Sequence, residues 1–231
     1  MDDGIPGELG DVEIRVLGSL MEKAKTTPDA YPLTLNSLIT ACNQKSSRDP
    51  VTDLDEDEVI GALDSLRGKG LAMRVDVAGS RTAKFRENAT ARWSLSSQEY
   101  ALLTLLFLRG PQTPGQLRGR SDRLFEFAEI PQVLDRLKQM QDREEEPLSL
   151  VQSMERLPGT KEIRYVHTLA PLPEGAGVAK DSWAAEGLEP SRTVTPQASP
   201  SGNESPALEE RLEKLEARVA DLEKLIDELT S

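Results

Sequence analysis

A chain of 231 residues that is 37% hydrophobic and 29% charged can bury a core, and its formal charge of −12 argues against a uniformly basic nucleic-acid binder. The longest apolar run, Ala101 to Leu108, is too short to span a bilayer, and the acidic start Met1-Asp2-Asp3 lacks the pattern of an export signal, so no membrane partner is expected. A single cysteine, Cys42, excludes an internal disulfide and fits a reducing compartment, which makes the cytoplasm the expected location.

A repeat organises the first 170 residues. Leu9, Glu13, Thr27 and Pro28 recur 86 residues later as Leu95, Glu99, Thr113 and Pro114. Leu63-Asp64-Ser65-Leu66 recurs as Leu134-Asp135-Arg136-Leu137, now 71 residues later, so the first copy carries a surplus around Tyr31 to Val51. In the first copy, Leu9, Val12, Val16, Leu20 and Ala24 follow helical spacing. Thr34 can cap a second helix with the stripe Leu35, Leu38, Ile39 and Cys42. Asp55 with Glu58 three residues on forms a capping box, flanked by Leu54 and Val59 at staple positions, and Gly68 and Gly70 end the third helix. The period then drops to two. Leu71, Met73, Val75 and Val77 are expected inward, Ala78-Gly79-Ser80 turns, and Ala83 and Phe85 continue the inward face. On this reading Lys84 and Arg86 point outward beside Arg74, with Arg81 near the tip.

The second copy repeats the scheme. Ser96-x-x-Glu99 caps the run Tyr100 to Leu108, and Thr113-Pro114-x-Gln116 starts a short helix with proline in its first turn. Val133, Leu134, Leu137 and Met140 mark a third helix. Leu148, Leu150 and Met154, then Ile163 and Tyr165, suggest a hairpin turning at Pro158-Gly159. Three helices followed by a two-stranded wing is the winged form of the helix-turn-helix. The expected fold class is therefore mainly α with small β wings (α+β), as winged-helix domains at 1–90 and 91–170.

From Pro171 to Pro206 the chain holds six prolines, four glycines and five serines, a composition that reads as a flexible linker over 171–206. Trp183 is an isolated aromatic within it. In the segment 207–231, Leu208, Leu215, Leu222 and Leu229 fall at d, and Leu212, Val219 and Ile226 at a. Branched residues at a with leucine at d favour a parallel two-stranded coiled coil, and Arg211 and Arg218 at g face Glu216 and Glu223 at e of a parallel partner. The expected consequence is a homodimer. The alternative is a single amphipathic helix packed back on the globular part.

Several runs resemble the bacterial YceH-like family. They are Thr26-Thr27-Pro28, Tyr31-Pro32-Leu33, Asn36-Ser37-Leu38, and Thr40-Ala41-Cys42-Asn43-Gln44-Lys45 with Arg48-Asp49-Pro50-Val51. In the second copy they are Leu108-Arg109-Gly110, Gln112-Thr113-Pro114-Gly115, Leu117-Arg118 and Phe125-Glu126-Phe127. The resemblance covers about residues 9–168, and Thr40–Val51 is its most specific part. It implies tandem winged helices and a bacterial source, and it carries no established activity.

Catalytic chemistry is not expected. One histidine and one cysteine cannot assemble a Cys/His zinc site within a chain, and no phosphate-binding glycine motif or cofactor signature occurs. His167 is in phase with Ile163 and Tyr165 and reads as a semi-buried strand residue, while Cys42 sits on an apolar stripe and reads as core packing. No catalytic residue, metal site or cofactor is assigned.

Two non-enzymatic functions remain. The first is binding of double-stranded DNA by a transcription-regulator-like dimer. Its candidate contacts in the first copy are Lys45, Arg48, Arg74, Arg81, Lys84 and Arg86. In the second copy they are Arg118, Arg120, Arg123, Arg136, Lys138, Lys161 and Arg164. Against it, Asp55, Glu56, Asp57 and Glu58 open the first copy's third helix, where base-reading side chains would sit. By charge the second copy is the better reader: residues 1–90 hold 11 Lys/Arg against 16 Asp/Glu, residues 91–170 hold 11 against 11, and 171–231 hold 6 against 13. The second function is an acidic protein-interaction scaffold of the chromosome-organisation adaptor type, with a protein partner and no direct DNA contact.

Overall fold

The helix starts read from the sequence are present as hydrogen bonds in the computed structural model, which describes residues 9–76, 82–144, 149–154, 156 and 162–170. The linker 171–206 with Trp183, the coiled-coil segment with all its core and flank residues, Arg81, Lys161, Leu148 and both hairpin turns lie outside the described residues. Every described residue belongs to one unit of the chain, Met1–Ala185.

In the first copy α1 (Asp11–Thr26) is followed by a 3-10 turn (Pro28–Ala30), β1 (Leu33–Thr34), α2 (Leu35–Cys42), α3 (Glu56–Gly68), β2 (Ala72–Val75) and β3 (Lys84–Glu87). A short α4 (Ala89–Arg92) leads to the second copy: α5 (Ser97–Arg109), α6 (Pro114–Ser121), α7 (Ile130–Gln141), β4 (Val151–Ser153) and β5 (Tyr165–His167). The fold is mixed α+β, with seven α-helices and two small antiparallel sheets among the described residues, β1-β3-β2 and β4-β5. The same order of three main helices and a strand pair occurs twice, and the strand pairs are compatible with wings.

Polar side chains set the helix starts by satisfying backbone N–H groups that have no partner within the helix. The Asp55 carboxylate accepts from Glu58 N, and Glu58 in turn accepts from Asp55 N, both at 2.9 Å. Ser96 with Glu99, and Thr113 with Gln116, make the same reciprocal pairs. Thr34 accepts from Ser37 N at the start of α2. Glu13 accepts from Gly10 N, which is one arm of the box because glycine has no side chain to supply the other. Of the repeated residues, Glu13 and Glu99 both accept a cap N–H, whereas Thr113 caps α6 and its counterpart Thr27 makes no cap bond. Between the copies, the first copy's surplus falls partly in the segment holding the 3-10 turn and β1, and partly in the loop from Asn43 to Asp55.

The sequence pattern described one buried stripe on α1. The helix is buried from Ile14 to Met21, because α5 covers its other side. On α5 every residue from Tyr100 to Leu108 is buried, the signature of a helix enclosed all round. Gly18 lets the two helices approach: a Cβ there would lie 2.9 Å from Phe107 Cβ and 3.0 Å from Leu108 Cδ2. The Tyr100 hydroxyl donates to Met21 O at 2.6 Å, and Leu9 N donates to Leu169 O at 3.0 Å. One hydrophobic cluster therefore runs from Leu9 through Leu38, Leu63 and Leu106 to Leu137 and Leu150.

The first strand pair differs from the expected pleat. Ala72 faces Glu87, Met73 faces Arg86, Arg74 faces Phe85 and Val75 faces Lys84. Directly opposed residues share a face. Met73 and Val75 therefore lie with Arg86 and Lys84, while Ala72 and Arg74 lie with Glu87 and Phe85. The expected inward set Leu71, Met73 and Val75 is shifted by one residue, and Met73 is 39% exposed. The cause is local: Leu71 N is tied back to Leu66 O and Leu71 O accepts from Asn88 N, so the pleat begins only at Ala72. The added β1 pairs Leu33 with Phe85, which fixes the Phe85 side as the core side.

Candidate anion and nucleic-acid contacts

The candidate basic residues separate by what their side chains touch. Arg48 is corrected outright. Its side chain has no exposed surface. Nε and Nη2 donate to Ala41 O at 3.1 and 2.7 Å, Nη1 donates to Ser47 O at 2.9 Å, and Nη1 and Nη2 reach the two Glu22 carboxylate oxygens at 3.2 and 2.8 Å. Such a guanidinium cannot meet a phosphate. It closes the loop after α2 onto α1, helped by Asn43, which accepts from Leu54 N and donates to Leu54 O, and by Asp49 N donating to Leu108 O. Burial alone would raise the Glu22 carboxyl, but its hydrogen bonds and charge pairing with Arg48, and with Lys23, hold it below the usual carboxylate range.

Arg74 is corrected in position. It lies on the opposite face of the strand pair from Lys84 and Arg86, and its Nε reaches Asp76 Oδ1 at 3.1 Å. The three do not form one basic surface. Lys84 is half-buried, and Arg86 is exposed with Nη2 3.2 Å from Met73 Sδ. Lys45 is exposed beyond α2.

In the second copy the exposed Arg118 spans the turn between helices, donating from Nε and Nη2 to Ala128 O at 3.2 and 2.7 Å. Arg120 donates from Nη1 to Gln112 Oε1 at 2.8 Å, and Gln112 is itself buried and donates to Leu105 O. Arg136 is half-buried, with a buried Nε, while Lys138 and Arg164 are exposed.

Arg120 and Arg123 also line a small cleft that sequence reasoning did not describe as a site. Its other walls are Glu22, Thr26, Ser47, Leu105, Leu108, Arg109 and Leu124. Arg109, a half-buried residue of the last turn of α5, was not among the candidates. Gly110, with φ of +64°, then turns the chain so that Gln112 can pair with Tyr165 and hold Arg120. The sequence signal was that two of the runs carrying the family resemblance, Thr40–Val51 and Leu108-Arg109-Gly110, meet at this junction.

The acidic start of α3 is exposed as expected: Asp55, Glu56, Asp57 and Glu58 all face solvent, with Ile60 beside them at 37% exposure. The buried candidates behave as the sequence suggested. Burial pushes the Cys42 thiol up. His167 is buried against Phe107, ring centroids 5.0 Å apart at an interplanar angle of 81°, and burial lowers its pKa to about 4. No group of three His, Cys, Asp or Glu residues able to hold a metal is found among the described residues, and no described helix is long and apolar enough to cross a membrane.

These features define an α+β protein made of two helix-rich halves packed through α1 and α5. A family model described as "Protein of unknown function, DUF480" matches residues 9–160. The UPF0502 protein of Azoarcus sp. (strain BH72) is 43% identical over 221 residues, covering 95% of this chain and 92% of that protein. Relatives of the same description from Paracidovorax citrulli and Geobacter sulfurreducens are 51% identical over 158 residues and 48% over 166. They cover 68% and 72% of this chain, and 67% and 74% of their own lengths. The chain belongs to this uncharacterised bacterial family, in agreement with the YceH-like resemblance. The Azoarcus alignment extends well past residue 160, through much of the Pro/Gly/Ser-rich segment that the family model leaves out.

Proposed function

We propose that the chain is a tandem winged-helix, non-enzymatic, transcription-regulator-like protein that binds double-stranded DNA through its second half and acts as a parallel homodimer through residues 207–231. The observation that supports this reading is the contrast in exposed charge between the two segments that run from the second helix through the third. Residues 35–68 hold three Lys/Arg against seven Asp/Glu, and the acids crowd the exposed start of α3. Residues 114–141 hold five against four, with Arg118, Arg120, Arg123 and Lys138 exposed. Phosphates repel the first surface and tolerate the second.

The test is duplex binding by the full chain as a function of salt. Lys138→Ala and Arg164→Ala should each lower the salt slope by about one. Neutralising Glu56 and Asp57 should leave affinity unchanged, because α3 of the first half faces away from the duplex. An absence of binding even at low salt discards the reading. The second reading, an acidic scaffold for a protein partner, is favoured by Ile60 standing among the α3 acids. It predicts that neutralising Glu56 and Asp57 weakens capture of a basic partner surface.

A further inference from the structure

The cleft where α1 meets the corner between α5 and α6 sets Arg120 and Arg123, two arginines of the DNA reading, beside Arg109, which that reading does not use. Arg109, Arg120 and Arg123 border it from one side, and Leu105, Leu108 and Leu124 supply apolar wall. Glu22 is the one acid among the lining residues, and both of its oxygens are already taken by Arg48. Glu22 and Asp49 offset part of the Arg109 charge, but among the described residues no carboxylate is hydrogen-bonded to Arg109, Arg120 or Arg123. Arg120 is held in place by buried Gln112 and keeps its remaining donors. Arg109 and Arg123 make no hydrogen bond or ion pair within the described residues. Gathering three like charges at a packed junction is unfavourable by itself, and Arg109 shows it: burial, and then the charge of Arg120, lower its affinity for a proton. Arg48 and Arg118, by contrast, donate to backbone carbonyls.

We infer that this cleft binds a phosphate group through Arg109, Arg120 and Arg123. Planar guanidiniums offer paired N–H donors matched to phosphate oxygens, and three of them exceed what one carboxylate with two oxygens can accept. Ser47 in the lining adds a hydroxyl, whereas the Thr26 hydroxyl is already donated to Glu22 O at 3.0 Å. The phosphate belongs either to a small ligand or to a nucleic-acid backbone. The inference does not rest on the DNA reading.

The probe is pyrophosphate, titrated into the full-length chain at constant ionic strength and followed by calorimetry and by amide shifts. Saturable binding is expected, weakened about tenfold or more by Arg109→Ala and by Arg123→Ala, with partial recovery in Arg123→Lys. Arg67→Ala, on α3 where the side chain pairs with Asp64 at 2.8 Å, should bind as the parent does. Circular dichroism checks that each variant is folded, and Arg123→Ala is the safest, since that side chain is exposed. No saturation up to tens of millimolar, or saturation that survives the Arg109→Ala/Arg123→Ala double variant, overturns the proposal. A duplex arm separates the sources. If pyrophosphate displaces duplex and the same variants lose duplex binding, the phosphate is backbone; if duplex binding is untouched, the ligand is a small phosphate compound.

Discussion

Replacing Arg48 with alanine tests whether this arginine builds the fold or reads a ligand. The side chain makes five hydrogen bonds, three to the carbonyls of Ala41 and Ser47 and two to Glu22, and none of its surface reaches solvent. Truncation leaves the Glu22 carboxylate, itself only 14% exposed, with Lys23 alone, and strips Ala41 O of two donors. Breaking a buried pair by removing one partner costs about 3–5 kcal/mol, so Arg48→Ala should lose most of a small domain's stability at neutral pH. The pH dependence separates the charge effect from lost packing. In the parent, Glu22 sits below its ordinary value, so its contribution is present above about pH 4.3, the unfolded value, and fades as pH falls through the depressed one. Without Arg48, burial dominates and pushes Glu22 up, so protonation relieves the variant. Urea unfolding of both proteins should therefore show a gap that narrows as pH drops from about 7 towards 4. A variant within about 1 kcal/mol of the parent at pH 7, or a gap independent of pH, would refute the assignment.

Gly18→Ala sets helix propensity against packing. Alanine gains about 1 kcal/mol in a helix, but the added Cβ meets Phe107 Cβ at 2.9 Å and is flanked by Leu108, so a net loss of about 1–3 kcal/mol is expected. A raised melting temperature would show that α1 and α5 do not pack this closely. His167, lowered to about 4 by burial, binds a proton in the unfolded chain from about pH 6.5 but in the folded one only near 4. Stability should therefore fall as pH drops through that window, by up to about 3 kcal/mol, and His167→Leu should flatten that limb; an unchanged limb in the variant refutes it. For the dimer, sedimentation should give a dimer for the full chain and a monomer for a chain ending at Pro206, and two monomers would remove coiled-coil association from the proposal.

What could be read from the sequence was whatever short-range chemistry decides. Caps at Thr34, Asp55, Ser96 and Thr113 were legible because a side-chain oxygen three residues before a helical N–H has one obvious use. The second buried face of α1 was not, since Ile14, Leu17 and Met21 signal burial only once α5 is known to lie against them. The all-apolar stretch of α5 was the missing half of that statement. β1 escaped notice because two residues carry no periodicity, and the pleat of β2 slipped because Leu71 is apolar for a turn and not for a strand. Arg48 was misread from its place after the second helix, where backbone contacts to DNA are common, because no local signal announces its burial on Glu22 and Ala41 O.

Arginine in this chain shows why a charge count is a poor guide to partners. Arg48 answers to buried carbonyls and to Glu22, Arg118 closes a turn, and Arg74 is drawn to its neighbour Asp76. Arg48 is subtracted from the basic surface that the sequence offered to DNA, Arg74 is moved to another face, and Arg118 stays exposed with part of its donors spent on Ala128 O. What remains gathers in two places, the exposed second-half surface and the cleft at the α1–α5 junction. The cleft is built from residues of both copies, with Glu22, Thr26 and Ser47 from the first, and Leu105, Arg109, Arg120 and Arg123 from the second. An anion held there contacts both halves at once, so its binding energy depends on α1 and α5 keeping the spacing that Gly18 allows. A bulkier residue at position 18 should therefore weaken pyrophosphate binding without touching a single arginine. Substitution of Gly18 is thus a structural perturbation whose effect on the cleft can be read independently of any duplex.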